Sequence, residues 1–285
     1  MSKIEQARAI IRSVGAPRVL LMFSGGKDSL AMADLCVREL GAENVEAVYM
    51  YVVKGLQAFE APVDSGARRL GIKLHKIPHW MLSQALKLGV FMPRYAAAKH
   101  IKKERLADAE RRAREVSGLE WIGSGWKRPD SIQRHIVLSA WGPVYEKGRR
   151  FFPLFDWTNR DVVAYLEARK IRRPIRIGAY NDEGGSGFDL RPSTLLYLRE
   201  HHPDDFAKML EVFPWAEIPL MRLQFHNVVA DPRGLPAELR ARVTDISAKA
   251  AIDKKRGLKE EAARRRKLAK LRAARSRAEG ADDEV

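Results

Sequence analysis

The sequence predicts an α/β fold organised as a doubly wound parallel sheet, on three observations. Apolar runs of strand length alternate with segments whose apolar residues recur at helical spacing, from residue 2 to residue 169. The first of those runs is cut by two glycines and continues at once as a helix pattern. And 46% of the 285 residues are hydrophobic, which suffices for a core and rules out wholesale disorder.

Each element has a local reason. Residues 2–14 read as a short helix, and Pro17 then punctuates the approach to RVLLMF (18–23), a nearly continuous apolar run suited to a strand buried on both faces. Ser24-Gly25-Gly26 breaks that run. KDSLAMADLCVREL follows, with Leu30, Ala31, Ala33, Leu35, Cys36 and Leu40 at helical spacing, and Gly41 ends it. VEAVYMYVV (45–53) is the next strand, a helix spans about 58–70, and IKLHKI (72–77) is a short strand. A charged helix over about 101–117 leads into the strand LEWIGSG (119–125). A further helix covers 158–169, opened by Thr158 with Asp161 three residues on, a pattern close to a capping box. In such a sheet ligands bind beyond the carboxyl ends of the strands.

The first domain is expected to span residues 1–175. Beyond it, RRPIRIGAYNDEGGSGFD is rich in Gly and Pro, and STLLYLREHHPDDFAKMLEVF begins a mainly helical extension over 176–245. GGSGFD (184–189) reads either as a lid or as a flexible connection. Residues 246–285 form a basic tail, expected to be helical and exposed.

Charge and cysteine content narrow the functional classes. The chain carries 52 Lys+Arg against 36 Asp+Glu, a formal net charge of +16. Residues 249–277 hold a local excess of +10, and the last eight residues carry −4. Arg264, Arg265, Arg266 and Lys267 are the candidate contacts to a nucleic-acid backbone, the alternative being a solvated tail. One cysteine cannot form an internal disulfide or a four-thiolate zinc or iron–sulfur site. No apolar run approaches the roughly 20 residues of a membrane span, and MSKIEQARAI lacks a signal peptide's apolar stretch. A soluble protein of the reducing cytoplasm, with no membrane partner, is the expectation.

The most informative stretch is Ser24-Gly25-Gly26-Lys27-Asp28-Ser29 between the first strand and its helix. Two glycines let the backbone approach a ligand, the helix start presents unpaired N–H groups, and Ser24 and Ser29 add hydroxyls. Lys27 adds a positive charge, and Asp28 is the candidate to hold a magnesium ion or to orient the lysine. The stretch is not a Walker A loop, because Leu21 stands where that motif needs glycine and Asp28 where it needs Ser or Thr. A second block, Gly125-Trp126-Lys127-Arg128-Pro129-Asp130-Ser131 with Arg134, ends a predicted strand and would bring Lys127, Arg128 and Arg134 to the same sheet edge as anion grips. Asp130, Ser131 and Asp156 are either acceptor-side or structural residues. Asp156 and Trp157 in particular suit capping and packing. His75 and His79 have suggestive spacing, but Pro78 argues against one helix carrying both as metal ligands. Trp80, Trp126, Trp141 and Trp157 read mainly as core, with base stacking as the alternative.

SGGKDS resembles the phosphate loop of the N-type ATP pyrophosphatase (PP-loop) superfamily. Within it the chain most resembles the phosphoadenosine phosphosulfate (PAPS) reductase-like family, through the block from Gly125 to Arg134 and through PLFDWTNRDV (153–162), in the family's order. The resemblance covers residues 18 to about 170. It implies an adenine nucleotide alpha hydrolase-like sheet, with ATP or PAPS as the nucleotide, magnesium as its companion, and Ser24, Gly25, Gly26, Lys27, Ser29, Lys127, Arg128 and Arg134 around the phosphates, Lys27 and Asp28 acting in catalysis.

The family's reductases use a cysteine near the C-terminus, and their relatives add cysteines for an iron–sulfur cluster. Here the lone Cys36 sits mid-helix at a core-like position, so neither thiol-dependent reduction nor a cluster is expected. That leaves the superfamily's other chemistry, cleavage of ATP between its α and β phosphates with adenylyl transfer to an acceptor, a nucleic acid among the candidates. Two alternatives stay open: a non-catalytic nucleotide sensor that binds nucleic acid, or a reductase that borrows a partner protein's thiol.

Overall fold

Alternation along the strands decides the layers. In the computed structural model, which describes residues 2–93, 95–172, 190, 192–218 and 220–221, Val19 and Leu21 of strand β1 (Val19–Met22) join one buried cluster and Leu20 joins another. Strand β2 (Val45–Tyr51) repeats the division, with Val45, Ala47 and Tyr49 on the first face and Val48 on the second. Successive strand side chains point to opposite faces, so a run apolar throughout needs cover on both. Helices α1 (Lys3–Ser13), α2 (Lys27–Leu40) and α3 (Gln57–Leu70) supply buried residues to the first face. Ala113 of α5 (Leu106–Ser117) supplies the second. The remaining strands are β3 (Lys73–Pro78), β4 (Ile122–Gly123), β5 (Val144–Tyr145) and β6 (Arg150–Phe151). Their order across the sheet is β3-β2-β1-β4-β6-β5, parallel except for the antiparallel β5–β6 pair. This is the doubly wound α/β sheet the sequence predicts, and its order reverses direction between β1 and β4.

Two elements are shorter than their sequence patterns. The expected strand over 119–125 contracts to β4, because its partner β6 is itself only two residues long. Gly123 lies so close to both neighbours that a Cβ there would come within 2.6 Å of Leu21 Cδ2 and 2.7 Å of Phe151 Cζ. The helix expected from residue 101 starts at Leu106, where the Asp108 carboxylate accepts the Arg105 N–H at 2.9 Å. α4 (Trp80–Leu88) and α6 (Ile132–Trp141) have no counterpart in the sequence reading. α7 (Asn159–Ala168) opens on the Thr158–Asp161 capping box.

A separate cluster packs α8 (Pro192–His201) and α9 (Pro203–Val212) against the start of α3 through Phe59, Leu195, Leu198, Phe206 and Met209. Buried Asp205 accepts the Ala58 N–H at 2.7 Å and so caps α3 from α9. By contacts the chain divides into Met1–Leu220 and Met221–Val285. Arg264, Arg265, Arg266, Lys267 and the GGSGFD segment lie outside the described residues. Among the described residues no helix is long and apolar enough to cross a membrane.

Candidate active site

The carboxyl ends of β1, β2, β3 and β4 enclose a cleft of about 310 Å³ at the point where the strand order reverses. β1 contributes Ser24, Asp28 and Ser29, β2 contributes Val52, β3 contributes His79, and β4 contributes Ser124, Gly125 and Trp126. Each comes from the segment that leaves its strand's carboxyl end, Asp28 and Ser29 from the first turn of α2, which is why residues far apart in sequence converge.

The first rim is the glycine loop. Gly25 has φ +71°, and a Cβ on it would lie 2.9 Å from Val63 Cγ2 on α3, so neither its dihedral nor its surroundings admit a side chain. Gly26 is the N-cap of α2 and makes no side-chain cap bond. The first-turn N–H groups of α2 therefore look out from the helix start. Ser29 Oγ donates to Gly26 O at 2.9 Å and Ser24 Oγ accepts the Gly26 N–H at 3.4 Å, which pins the loop on both sides.

A row of alternating charge runs from this loop to the β4 side. Lys27 Nζ lies 2.7 Å from Asp28 Oδ2, and Lys127 Nζ lies 2.7 Å from Asp28 Oδ1 and 2.9 Å from Asp130 Oδ1. Asp130 pairs in turn with Arg134, whose guanidinium sits 5.4 Å from the centre of the Trp126 ring. Three cations and two carboxylates leave the row at +1. Lys127 is fully buried, and burial is tolerable because two carboxylates hold its ammonium. The approach of the two rims is enforced at Gly125, where a Cβ would stand 3.3 Å from the Asp28 carbonyl carbon.

The residues singled out from sequence divide accordingly. Ser24, Gly25, Gly26, Lys27, Asp28, Ser29, Lys127, Asp130 and Arg134 come together. Arg128 does not: its Nε bonds Asp156 Oδ1 at 2.7 Å and its guanidinium lies 4.7 Å from the Phe155 ring centre, so it ties two loops together instead of facing the cleft. Asp156 is its counter-ion. Ser131 caps α6, accepting the Arg134 N–H at 3.2 Å. Trp157 is core. So is Cys36, whose thiol burial pushes far above its usual range, so that no thiolate forms there.

Sequence reasoning weighed His79 only as a metal ligand and missed Tyr49. Burial lowers the His79 pKa, and its Nδ1 accepts the Met81 N–H at 3.1 Å, so the ring is neutral with its proton on Nε2. Burial, with Glu60 and Asp64 nearby, pushes the Tyr49 hydroxyl up to about 12, which keeps it a proton donor. The available signal was positional: His79 directly follows β3, as Phe23 and Ser24 directly follow β1.

The phosphoadenosine phosphosulfate reductase domain family matches residues 18–174, which takes in the loop, the charge row and the capping box of α7. The chain belongs to this family. In this PAPS reductase domain the glycine loop directly follows the first strand of the sheet. Curated relatives are the sulfate adenylyltransferase subunit 2 proteins of Mycolicibacterium vanbaalenii and Mycolicibacterium gilvum, 26% and 28% identical over 196 residues. Each alignment takes in 59% of this chain and 61% of the relative, so the chain spans about three fifths of the length of the curated relatives it matches. Among solved structures, it is similar to the U34-tRNA thiolase NcsA from Methanococcus maripaludis with its 4Fe-4S cluster, at 15% identity and a TM-score of 0.43, covering 77% of this chain and 79% of that one. It is also similar to an NH3-dependent NAD synthetase from Campylobacter jejuni, at 15% identity and a TM-score of 0.41, covering 79% and 96%.

The cofactor expectation is corrected. Both Asp28 oxygens are occupied by lysine ammonium groups, and among the described residues no three His, Cys, Asp or Glu side chains gather as a metal site, so Asp28 does not fit the role of magnesium ligand. The expectation of no iron–sulfur cluster is likewise withdrawn.

Proposed function

We propose that this PAPS reductase domain binds an adenine nucleoside triphosphate in the cleft, breaks it between the α and β phosphates, and transfers the adenylyl group to an acceptor oxygen as one subunit of a larger assembly. The observation that carries this reading is the row Lys27, Asp28, Lys127, Asp130 and Arg134 beside a glycine loop at a helix start. The relatives' name supports adenylyl chemistry and a partner subunit. In this reading residues 1–175 are the nucleotide-binding domain, 176–245 its extension and 246–285 an appended tail.

The acceptor oxygen attacks the α-phosphorus. A new P–O bond forms, the bond to the bridging oxygen breaks, and pyrophosphate leaves with the electron pair. Negative charge grows on the leaving oxygens, where Lys27, Arg134 and the first-turn N–H groups of α2 stabilise it. Asp28 and Lys127 are positioning residues: Lys127 fixes the carboxylate that holds Lys27. Trp126, backed by the Arg134 guanidinium, offers a flat apolar wall for the base. No side chain acts as nucleophile. The test is release of labelled AMP and of pyrophosphate from α-labelled ATP, with candidate acceptors and partner subunit present. Turnover that Lys27→Ala leaves unchanged would refute the reading.

A further inference from the structure

From His79 to Lys103 the sequence carries five Lys or Arg and no Asp or Glu. This stretch builds two walls of one groove: α4 is the first, and the 3-10 turn Ala96–His100 with the residues after it is the second. Hydrogen bonds set the spacing of the walls. Gln84 Nε2 donates to Glu104 O at 3.2 Å, Ser83 Oγ accepts the Glu104 N–H at 2.9 Å, and Lys87 Nζ donates to Ile101 O at 2.9 Å. The groove has a volume of about 660 Å³ and shares no lining residue with the nucleotide cleft.

Apolar groups and cations line it together. Leu88 and Tyr95 are 59% and 62% exposed, and Ala96 and Ala98 are too small to fill the space beside them. Lys99 and Lys103 are exposed and have no hydrogen-bond or ion-pair partner among the described residues. The carboxylates that follow in the chain are engaged elsewhere, Glu104 with Arg112 and Asp108 with the Arg105 N–H at 2.9 Å. None lines the groove, so its positive charge is uncompensated. A single exposed leucine or lysine needs no explanation, but bare apolar surface edged by unpaired charge has the anatomy of a protein interface, an apolar centre within a polar rim. Lysine stems extend such a centre while their ammonium groups stay in water.

We propose that this groove docks an acidic segment of a partner protein, which lays a large apolar side chain against Leu88 and Tyr95 and sets its carboxylates on Lys99 and Lys103. The lining favours protein over nucleic acid. Phosphate contacts draw on Arg and on hydroxyl donors as well as Lys, and nucleic-acid interfaces are more polar than protein interfaces. Here no Arg, Ser or Thr lines the groove, and Tyr95 alone offers a ring, too few for a run of stacked bases. Docking at this face needs no nucleotide, so the proposal stands apart from the adenylyl-transfer reading.

The probe is a fluorescein-labelled peptide with a leucine and a phenylalanine set among aspartates and glutamates, titrated into the full chain by fluorescence anisotropy at physiological salt. A second peptide carries serines in place of the two apolar residues, and oligouridine is the competitor. The expected result is saturable binding of the first peptide that oligouridine does not displace. Lys99→Glu with Lys103→Glu should weaken it by roughly tenfold or more, whereas Lys147→Glu with Arg160→Glu, the same charge change at exposed positions on other elements, should alter it by no more than about twofold. Leu88→Ser, which gives up little packing at so exposed a position, should weaken the first peptide by roughly fivefold and leave the second unchanged. Equal losses in the two charge-reversed pairs would reduce the binding to net charge and overturn the proposal. So would absence of binding, an unchanged affinity in Leu88→Ser, or displacement by oligouridine, which would give the groove to nucleic acid. Binding of an ATP analogue, measured alongside, is expected to be the same in every variant, and its failure in the unaltered chain would refute the nucleotide reading without touching this one.

Discussion

Asp28 and Lys127 stand 99 positions apart and meet at 2.7 Å, joining the loop after β1 to the loop after β4. The carboxylate accepts Lys27 on one oxygen and Lys127 on the other, so a single side chain sets the spacing of two ammonium groups. The residue that looked like a metal ligand is an organiser of cations.

Replacing Lys127 with Met should destabilise the fold. It strips the buried partner from Asp28 and Asp130 at once, and the cost is about 3 kcal/mol, the low end for a buried pair because Asp28 keeps some solvent access. Thermal unfolding checks this. Lys127→Arg is expected to be only partly tolerated, since a fork-shaped guanidinium replaces a compact ammonium in a closed pocket.

Lys27→Ala should do the opposite, leaving the melting temperature within about 2 °C and lowering AMP release by roughly 10²-fold. Lys27 is partly exposed and supports no packing, so its loss falls on the bound phosphates. A parallel loss of stability would show a structural role instead.

Gly25→Ala should cost about 1–2 kcal/mol from its dihedral alone, with the Val63 contact added. In a double-mutant cycle with Val63→Ala, the pair should be less destabilised than the sum of the singles, because removing Cγ2 relieves the overlap but not the dihedral. Strict additivity in denaturant titrations would contradict the close approach.

His79 should make stability fall on acidification. Its pKa is lowered in the folded state, so the unfolded chain binds more protons below the unfolded value of about 6.5. Stability is then constant above that pH, declines as pH drops toward the folded pKa, and levels off below it. His79→Asn keeps an acceptor for the Met81 N–H but does not titrate, and melting curves between pH 7.5 and 5, chosen to bracket about 6.5, should lose that slope.

Much of the fold was legible because its signals are local. β1, α2, β2, α3 and β3 are each bounded by residues that dictate their own geometry, and the glycine loop announces itself between a strand and a helix. α4 and α6 were not legible. Their apolar residues, such as Met81, Ile132 and Ile136, are largely exposed, so no buried stripe marks them as helices. Arg128 and Lys127 show the same limit within the site, since adjacent basic residues carry equal weight in a sequence.

By itself the sequence determined the α/β alternation, the loop from Ser24 to Ser29 and the core role of Cys36, because these follow from periodicity, backbone chemistry and residue type, while its motifs carried the resemblance to the family. Only the tertiary structure decided that Lys127 turns inward to Asp28 while Arg128 turns out to Asp156, and that His79 joins the cleft. Those outcomes depend on which strand ends the sheet order brings together, and on close approaches such as Gly125 to Asp28 and Gly123 to Phe151. Contacts between residues so far apart in the chain are set by packing, which no local pattern encodes.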